Sequence, residues 1–161
     1  MIKLIERMTQ NQAEHIAYHW HYDGPYSFYN MEADPDDLAD FLNPEVRGDH
    51  YFAALDQDGV LVGFFSLDPF EDGKVDIGVG LKPELTGQGL GMEFLTKVIY
   101  HAQSLFKPRV LTLSVADFNQ RAIKLYRKAG FEPVATFLQK TNGSHFKFIK
   151  MERQTAYDSD F

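Results

Sequence analysis

Residues 75–92, VDIGVGLKPELTGQGLGM, decide how the rest of the chain is read. Val75, Ile77, Val79 and Leu81 alternate with Asp76, Gly78 and Gly80, the period of a strand with one face on a core and the other nearly flat. A flat face carrying one carboxylate leaves room for an extended ligand, and a glycine pair inside a strand also marks a bulge. The strand is expected to end at Pro83 and a helix to open at Gly89. Gly87, Gly89 and Gly91 recur at every second position, as they would where the backbone needs positive φ or comes close to another group. Outward N–H groups at such a helix start, with the positive end of its dipole, favour a phosphate. A tight strand-to-helix turn without a ligand has the same local pattern, so the loop needs support from elsewhere in the chain.

Downstream, Leu90, Phe94, Leu95, Val98, Ala102 and Leu105 form a helical stripe that Pro108 ends. Val110, Leu111, Leu113 and Val115 then make an apolar strand, so the unit reads βαβ with a parallel pair. Asp117 or Asn119 caps a helix from Gln120 to Ala129 with Ala122, Leu125, Tyr126 and Ala129 inward. Gly130 suits a left-handed C-terminal position, with Phe131 as its hydrophobic contact. Val134 to Gln139 and His145 to Met151 flank Thr141-Asn142-Gly143-Ser144 as a closing hairpin. Upstream, Ile2 to Glu6 reads as a strand, and Thr9 caps a helix through Ala13, Ile16, Ala17 and Trp20. Asp34-Pro35 starts a short helix through Leu38, Phe41 and Leu42. His50 to Leu55 and Val60 to Leu67 form a hairpin about Asp56 to Gly59, with Asp68-Pro69 ending its second strand. The fold class is therefore α+β, one mixed and mostly antiparallel central sheet with a single parallel βαβ unit, flanked by helices. One domain is expected over residues 1–153, with a frayed tail over 154–161.

The composition agrees with one domain: 161 residues, 44% of them hydrophobic and 14% aromatic. No apolar run is long enough for a bilayer, and MIKLIERM lacks the apolar region of a signal peptide, so a soluble cytoplasmic protein is expected, with no membrane partner. Without cysteine there is no disulfide, thiolate metal site or cysteine nucleophile. A formal charge of −7 argues against nucleic-acid affinity. The charges are segregated: Asp23, Glu32, Asp34, Asp36, Asp37 and Asp40 lie in a stretch with no base, and Arg121, Lys124, Arg127 and Lys128 in one with no acid. Such segregation suggests two differently charged ligands or faces. His15 and His19 have metal-compatible spacing but no third ligand in view, so no metal site is expected.

PELTGQGLG (83–91) and SVADFNQRAIKLYRKAGF (114–131) together resemble the GNAT superfamily of N-acetyltransferases. That family's cofactor signature is Arg or Gln, two residues, Gly, one residue, then Gly or Ala, and its second signature is an Asn before a helix ending in Tyr and, three or four residues on, Gly-Phe. Thr86 departs from the first signature. The resemblance implies transfer of acetyl from acetyl-CoA to a primary amine by direct attack. It assigns cofactor contacts to Val79, Leu81, Thr86, Gly87, Gln88, Gly89, Leu90, Gly91, Asn119 and Tyr126, with Tyr126 also protonating the departing thiolate. An amine of pKa ~10.4 must lose a proton at a cost of about 4.6 kcal/mol at pH 7. Asp76 is the first candidate for the base and Asp68 the second. The acidic, aromatic segment from Tyr22 to Asp40 suggests a small cationic acceptor such as a polyamine or aminoglycoside, or a peptide amine. Pairing of the closing strands would allow a homodimer. Two alternatives remain: a non-catalytic acyl-CoA sensor on the same fold, and a dinucleotide-binding oxidoreductase, although in the latter the last glycine comes one residue early.

Overall fold

Seven strands, among the residues 1–155 that the computed structural model describes, join in one sheet. In chain order the elements are β1 (Ile2–Arg7), α1 (Gln10–His19), 3-10 turns Gly24–Tyr29 and Met31–Ala33, α2 (Pro35–Leu42), α3 (Pro44–Arg47), β2 (Tyr51–Asp56), β3 (Leu61–Glu71), β4 (Lys74–Leu81), a 3-10 turn Pro83–Leu85, α4 (Gly91–Phe106), β5 (Val110–Ala116), α5 (Gln120–Lys128), β6 (Glu132–Thr141) and β7 (Ser144–Gln154). The strand order is β1-β2-β3-β4-β5-β7-β6, antiparallel everywhere except β4 with β5. This is the mixed α+β sheet that the hydrophobic periods predict. A single parallel pair also rules out the doubly wound sheet of the oxidoreductase alternative. Among the described residues no helix is long and apolar enough to cross a membrane.

Each face of the sheet is covered by helices. On one, Phe65, Leu67, Val75, Ile77, Leu111 and Leu113 meet Phe94, Leu95, Val98 and Ala102 of α4, Ile123 and Tyr126 of α5, and Phe131. Full burial of residues such as Phe65 and Leu67, both 0% exposed, contributes roughly 1.5–3 kcal/mol each. On the other face, Ala13, Ile16, Ala17 and Trp20 of α1 and Phe41 of α2 pack over Phe64. A reciprocal cap starts α1: Thr9 Oγ1 accepts from Gln12 N at 3.1 Å, and Gln12 Oε1 accepts from Thr9 N at 2.9 Å. Buried Arg47 ties α1, α2 and α3 together by donating to the Phe41 carbonyl and, at 2.6 Å, to Gln10 Oε1.

The parallel register joins Lys74 to Val110, Val75 to Leu111 and Asp76 to Thr112. Past those pairs β4 and β5 part, which leaves a gap in the middle of the sheet.

Several expected boundaries shift. β4 ends at Leu81, not Pro83, and α4 opens at Gly91, not Gly89. Gly87 and Gly89 adopt φ of 73° and 80°, which a right-handed helix cannot contain. β3 runs past Asp68-Pro69 to Glu71, because Pro69 sits beside a register shift where a missing N–H is tolerated. The glycine face of β4 is narrower than expected: a Cβ at Gly80 would clash with the Phe64 ring, and one at Gly78 would lie 2.8 Å from Ser66 Oγ, although both glycines still border open space. Cross-strand neighbours on β3 crowd that face. Leu105 is 52% exposed while Ile99 is buried, as the end of α4 leaves the sheet. Ile123 joins Tyr126 as a buried residue of α5, with Ala122, Leu125 and Ala129 only partly covered. Residues 154 and 155, expected in a frayed tail, are part of the packed structure. Gln154 is the last residue of β7, and buried Thr155 donates from its hydroxyl to Pro108 O at 2.6 Å. The remainder of that expectation, 156–161, lies outside the described residues.

Candidate active site

The loop from Thr86 to Leu90 follows the 3-10 turn at Pro83, and the Thr86 hydroxyl is committed there, donating to Pro83 O at 2.8 Å. Its side chain therefore closes the turn. Leu90 caps α4 without any side-chain acceptor, so the first amides of a 16-residue helix have no side-chain partner. Gly91 lets α5 approach closely, since a Cβ there would lie 2.9 Å from Leu125 Cδ2.

Charge reaches this loop from α5. Arg121 Nη1 lies 3.3 Å from where a Gly87 Cβ would be, and the guanidinium also stacks over the Tyr26 ring, 4.5 Å from its centre. Arg121, Lys124 and Lys128 line one cavity with Gly87, Gly89 and Gly91. That cavity has a volume of about 800 Å³ and continues between the parted strands, past Ile77 to Leu81 of β4 and Leu113 to Val115 of β5. It reaches the opposite side of the sheet, where Ile16, Trp20, Met31 and Phe64 line it.

Asn119 and Tyr126 stand at the crossing. Asn119 Oδ1 caps α5 by accepting from Ala122 N at 3.2 Å, and its Nδ2 donates to the Tyr29 hydroxyl at 3.1 Å. Tyr126 lines the cavity and is 9% exposed. Burial, reinforced by the facing Tyr29, pushes its phenol well above the ordinary range, so it stays protonated at neutral pH. Asp76 lies at the closed end of the gap, where Thr112 Oγ1 donates to its Oδ1 at 2.6 Å. Burial raises its pKa, the Thr112 bond and Lys150 lower it, and Asp68 across the strand pair raises it, with a net upward shift.

A glycine loop at an uncapped helix start, a split parallel pair and a buried tyrosine across the gap thus border one cavity. The sequence pattern of the acetyltransferase (GNAT) family covers residues 14–131. The chain belongs to the GNAT family. Its relatives include the mycothiol acetyltransferase of Saccharomonospora viridis, 33% identical over 105 residues, which span 60% of this chain and 34% of that protein. The spermine/spermidine N(1)-acetyltransferase of Bacillus subtilis is 31% identical over 93 residues, 52% of this chain and 61% of that protein. The chain thus spans about a third to three-fifths of these relatives' lengths. Among solved structures, spermidine N-acetyltransferase from Vibrio cholerae in complex with CoA and spermine superposes with a TM-score of 0.72 at 15% identity, covering 94% of each chain. At that identity the likeness is one of fold.

In this GNAT chain the cavity wall includes Val79, Leu81, Thr86, Gly87, Gly89, Gly91, Asn119 and Tyr126 of the residues named from sequence. Gln88, Leu90 and Asp76 are not among the lining residues. The Leu81 carbonyl already accepts from the Tyr22 hydroxyl at 2.7 Å. The acidic segment does not supply a carboxylate wall. Asp34 holds the β6–β7 turn, Glu32 Oε1 meets His21 Nε2 at 2.6 Å, and Asp36 and Asp37 occupy the first turn of α2. Sequence reasoning missed Arg121, Lys124 and Lys128 as site residues, although the base run of 119–130 was visible as a charged face. It also missed Tyr29, whose partner Asn119 is 90 residues away and leaves no local signal. His15 and His19 face each other, rings 5.1 Å apart. Among the described residues no group of three or more ligating side chains could hold a metal.

Proposed function

We propose that this chain transfers the acetyl group of acetyl-CoA to the primary amine of a small molecule by direct attack. The observation that carries the reading is the cavity that runs from the uncapped start of α4, through the parted strands, to Tyr126 and the far face of the sheet. The amides of Gly87 to Gly91 and the cations Arg121, Lys124 and Lys128 would hold the phosphates of the thioester substrate. A micromolar Kd needs about 8 kcal/mol, and charge-assisted hydrogen bonds contribute roughly 1.5–3 kcal/mol each. A few amides and one guanidinium therefore suffice, and the missing Arg or Gln at position 86 is offset by Arg121.

Backbone groups of β4 near Val79 would face the acetyl carbonyl, where an N–H stabilises the oxyanion of the tetrahedral intermediate. The ammonium gives one proton to water or to Asp76, and the neutral nitrogen bonds to the carbonyl carbon. The carbon–sulfur bond then breaks. Tyr126 donates its proton to the sulfur and regains one from the nitrogen that becomes the amide. Its raised pKa keeps the phenol protonated, and because a thiol titrates lower, at about 8.5, the transfer to sulfur must be coupled to the proton that Tyr126 takes from the nitrogen. Asp76 stands off the cavity wall, so a proton bound for it would pass through water.

Calorimetric titration with acetyl-CoA, followed by thiol release measured over a panel of amines, tests the reading. Saturable binding with amine-dependent release is the expected result. Failure to bind at millimolar acetyl-CoA overturns it. Binding without release for any amine assigns the chain to the acyl-CoA sensor alternative.

A further inference from the structure

The two ends of the cavity differ in chemistry. On the α4 side it is lined by three cations and the glycine loop; on the α1 side its wall is Ile16, Trp20, Met31 and Phe64, with the rings of Tyr22 and Tyr29. Both phenol tips in that chamber are engaged, Tyr22 with the Leu81 carbonyl and Tyr29 with Asn119. Among the described residues no Asp or Glu lines the cavity. Asp23 and Glu84 line an adjoining recess of about 350 Å³ that shares Tyr22, Tyr26, Thr86 and Arg121 with the cavity and lies away from the Ile16, Met31 and Phe64 wall.

We propose that the chamber takes a primary amine borne on an apolar body, an arylalkyl or alkyl monoamine, and selects against polyamines. This rests on the acetyl-transfer reading above. A polyamine that presents one nitrogen at the crossing must leave its other ammonium groups against the apolar wall of Trp20, Met31 and Phe64, where no carboxylate of the described residues pairs them. A monoamine has the opposite balance. Its hydrocarbon covers apolar wall, and desolvation lowers the pKa of its single ammonium toward the neutral nucleophile. The chamber thereby assists the deprotonation that a wall carboxylate would otherwise serve.

The test compares butylamine, hexylamine, phenethylamine and spermidine at saturating acetyl-CoA, reading kcat/KM from thiol release. The same amines are titrated calorimetrically into the protein–CoA complex. Hexylamine and phenethylamine should exceed spermidine by at least ~10-fold, and affinity should rise about 4-fold per methylene from butylamine to hexylamine. Met31→Glu, which adds a carboxylate to the wall, should narrow or reverse the preference. Spermidine equal to or better than hexylamine overturns the inference while leaving acetyl transfer intact. If acetyl-CoA binds but no amine releases thiol, the acetyl-transfer reading falls; the calorimetric order of the amines then decides the chamber's preference by itself. Should Met31→Glu fail to fold, the wild-type comparison remains decisive.

Discussion

Tyr126 combines a site on a cavity wall with a phenol held protonated by burial. As the proton donor to sulfur it acts only as the thiolate forms, so its loss should fall on the chemical step. Tyr126→Phe is expected to lower kcat by ~10-fold or more, within the usual range for a general acid, with the Kd of acetyl-CoA from calorimetry nearly unchanged. An unaltered kcat removes it from the mechanism. Asp76 is a different case, since its carboxyl is bonded to Thr112 and stands off the cavity wall. Its raised pKa means that it holds a proton to higher pH than an ordinary carboxylate. If it accepts the amine's proton, kcat/KM falls as pH drops through that raised value, and Asp76→Asn should abolish this acid limb. Persistence of the limb in the variant would assign the base elsewhere.

Among the elements, the turn between β6 and β7 is held to α2 by one carboxylate. Asp34 Oδ2 accepts from Asn142 N at 2.8 Å and Thr141 Oγ1 at 3.1 Å, while its Oδ1 accepts from Asp36 N and Asp37 N at 3.0 and 3.1 Å. Asn142 Nδ2 then reaches Phe28 O at 2.9 Å, joining the turn to the segment that carries Tyr29. The Asn142 amide, ahead of the other donors, depresses the Asp34 pKa. A depressed folded-state pKa contributes stability above the ordinary carboxylate range, and this is lost as pH falls through the folded value. Asp34→Ala should therefore speed amide exchange at neutral pH both in 140–144 and in the first turn of α2. Faster exchange in α2 alone would reduce Asp34 to a plain helix cap. The cap was legible from Asp34-Pro35; the bond to Asn142, 108 residues away, was not.

For the molecule as a whole, the gap between β4 and β5 costs sheet hydrogen bonds and leaves apolar walls of both strands facing a cavity. A ligand that bridges the gap should stabilise the fold accordingly. At 100 times its Kd, acetyl-CoA should contribute about 2.7 kcal/mol, which raises Tm by roughly 5–10 °C for a chain of this size. Differential scanning calorimetry reads this directly, and Arg121→Ala should diminish the shift at fixed ligand concentration. No shift in the wild type would deny that the cavity binds the thioester.

By itself the sequence determined what depends on near neighbours. Periods of two and of 3.6 residues located the strands and helices, proline and glycine punctuated them, and alternation from Val75 to Leu81 identified the strand beside the loop. Spacing in 83–91 and 114–131 was enough to reveal the GNAT relationship. The tertiary structure decided where those residues meet. Phe64 crowds the glycine face of β4, Arg121 rather than Thr86 brings charge to the loop, and Asp34, Asp36 and Asp37 serve the start of α2 and the β6–β7 turn instead of the cavity wall. Local pattern reports which face of an element is apolar. It does not report which distant side chain consumes a hydrogen-bonding group or fills a space, because those outcomes depend on packing between elements far apart in the chain.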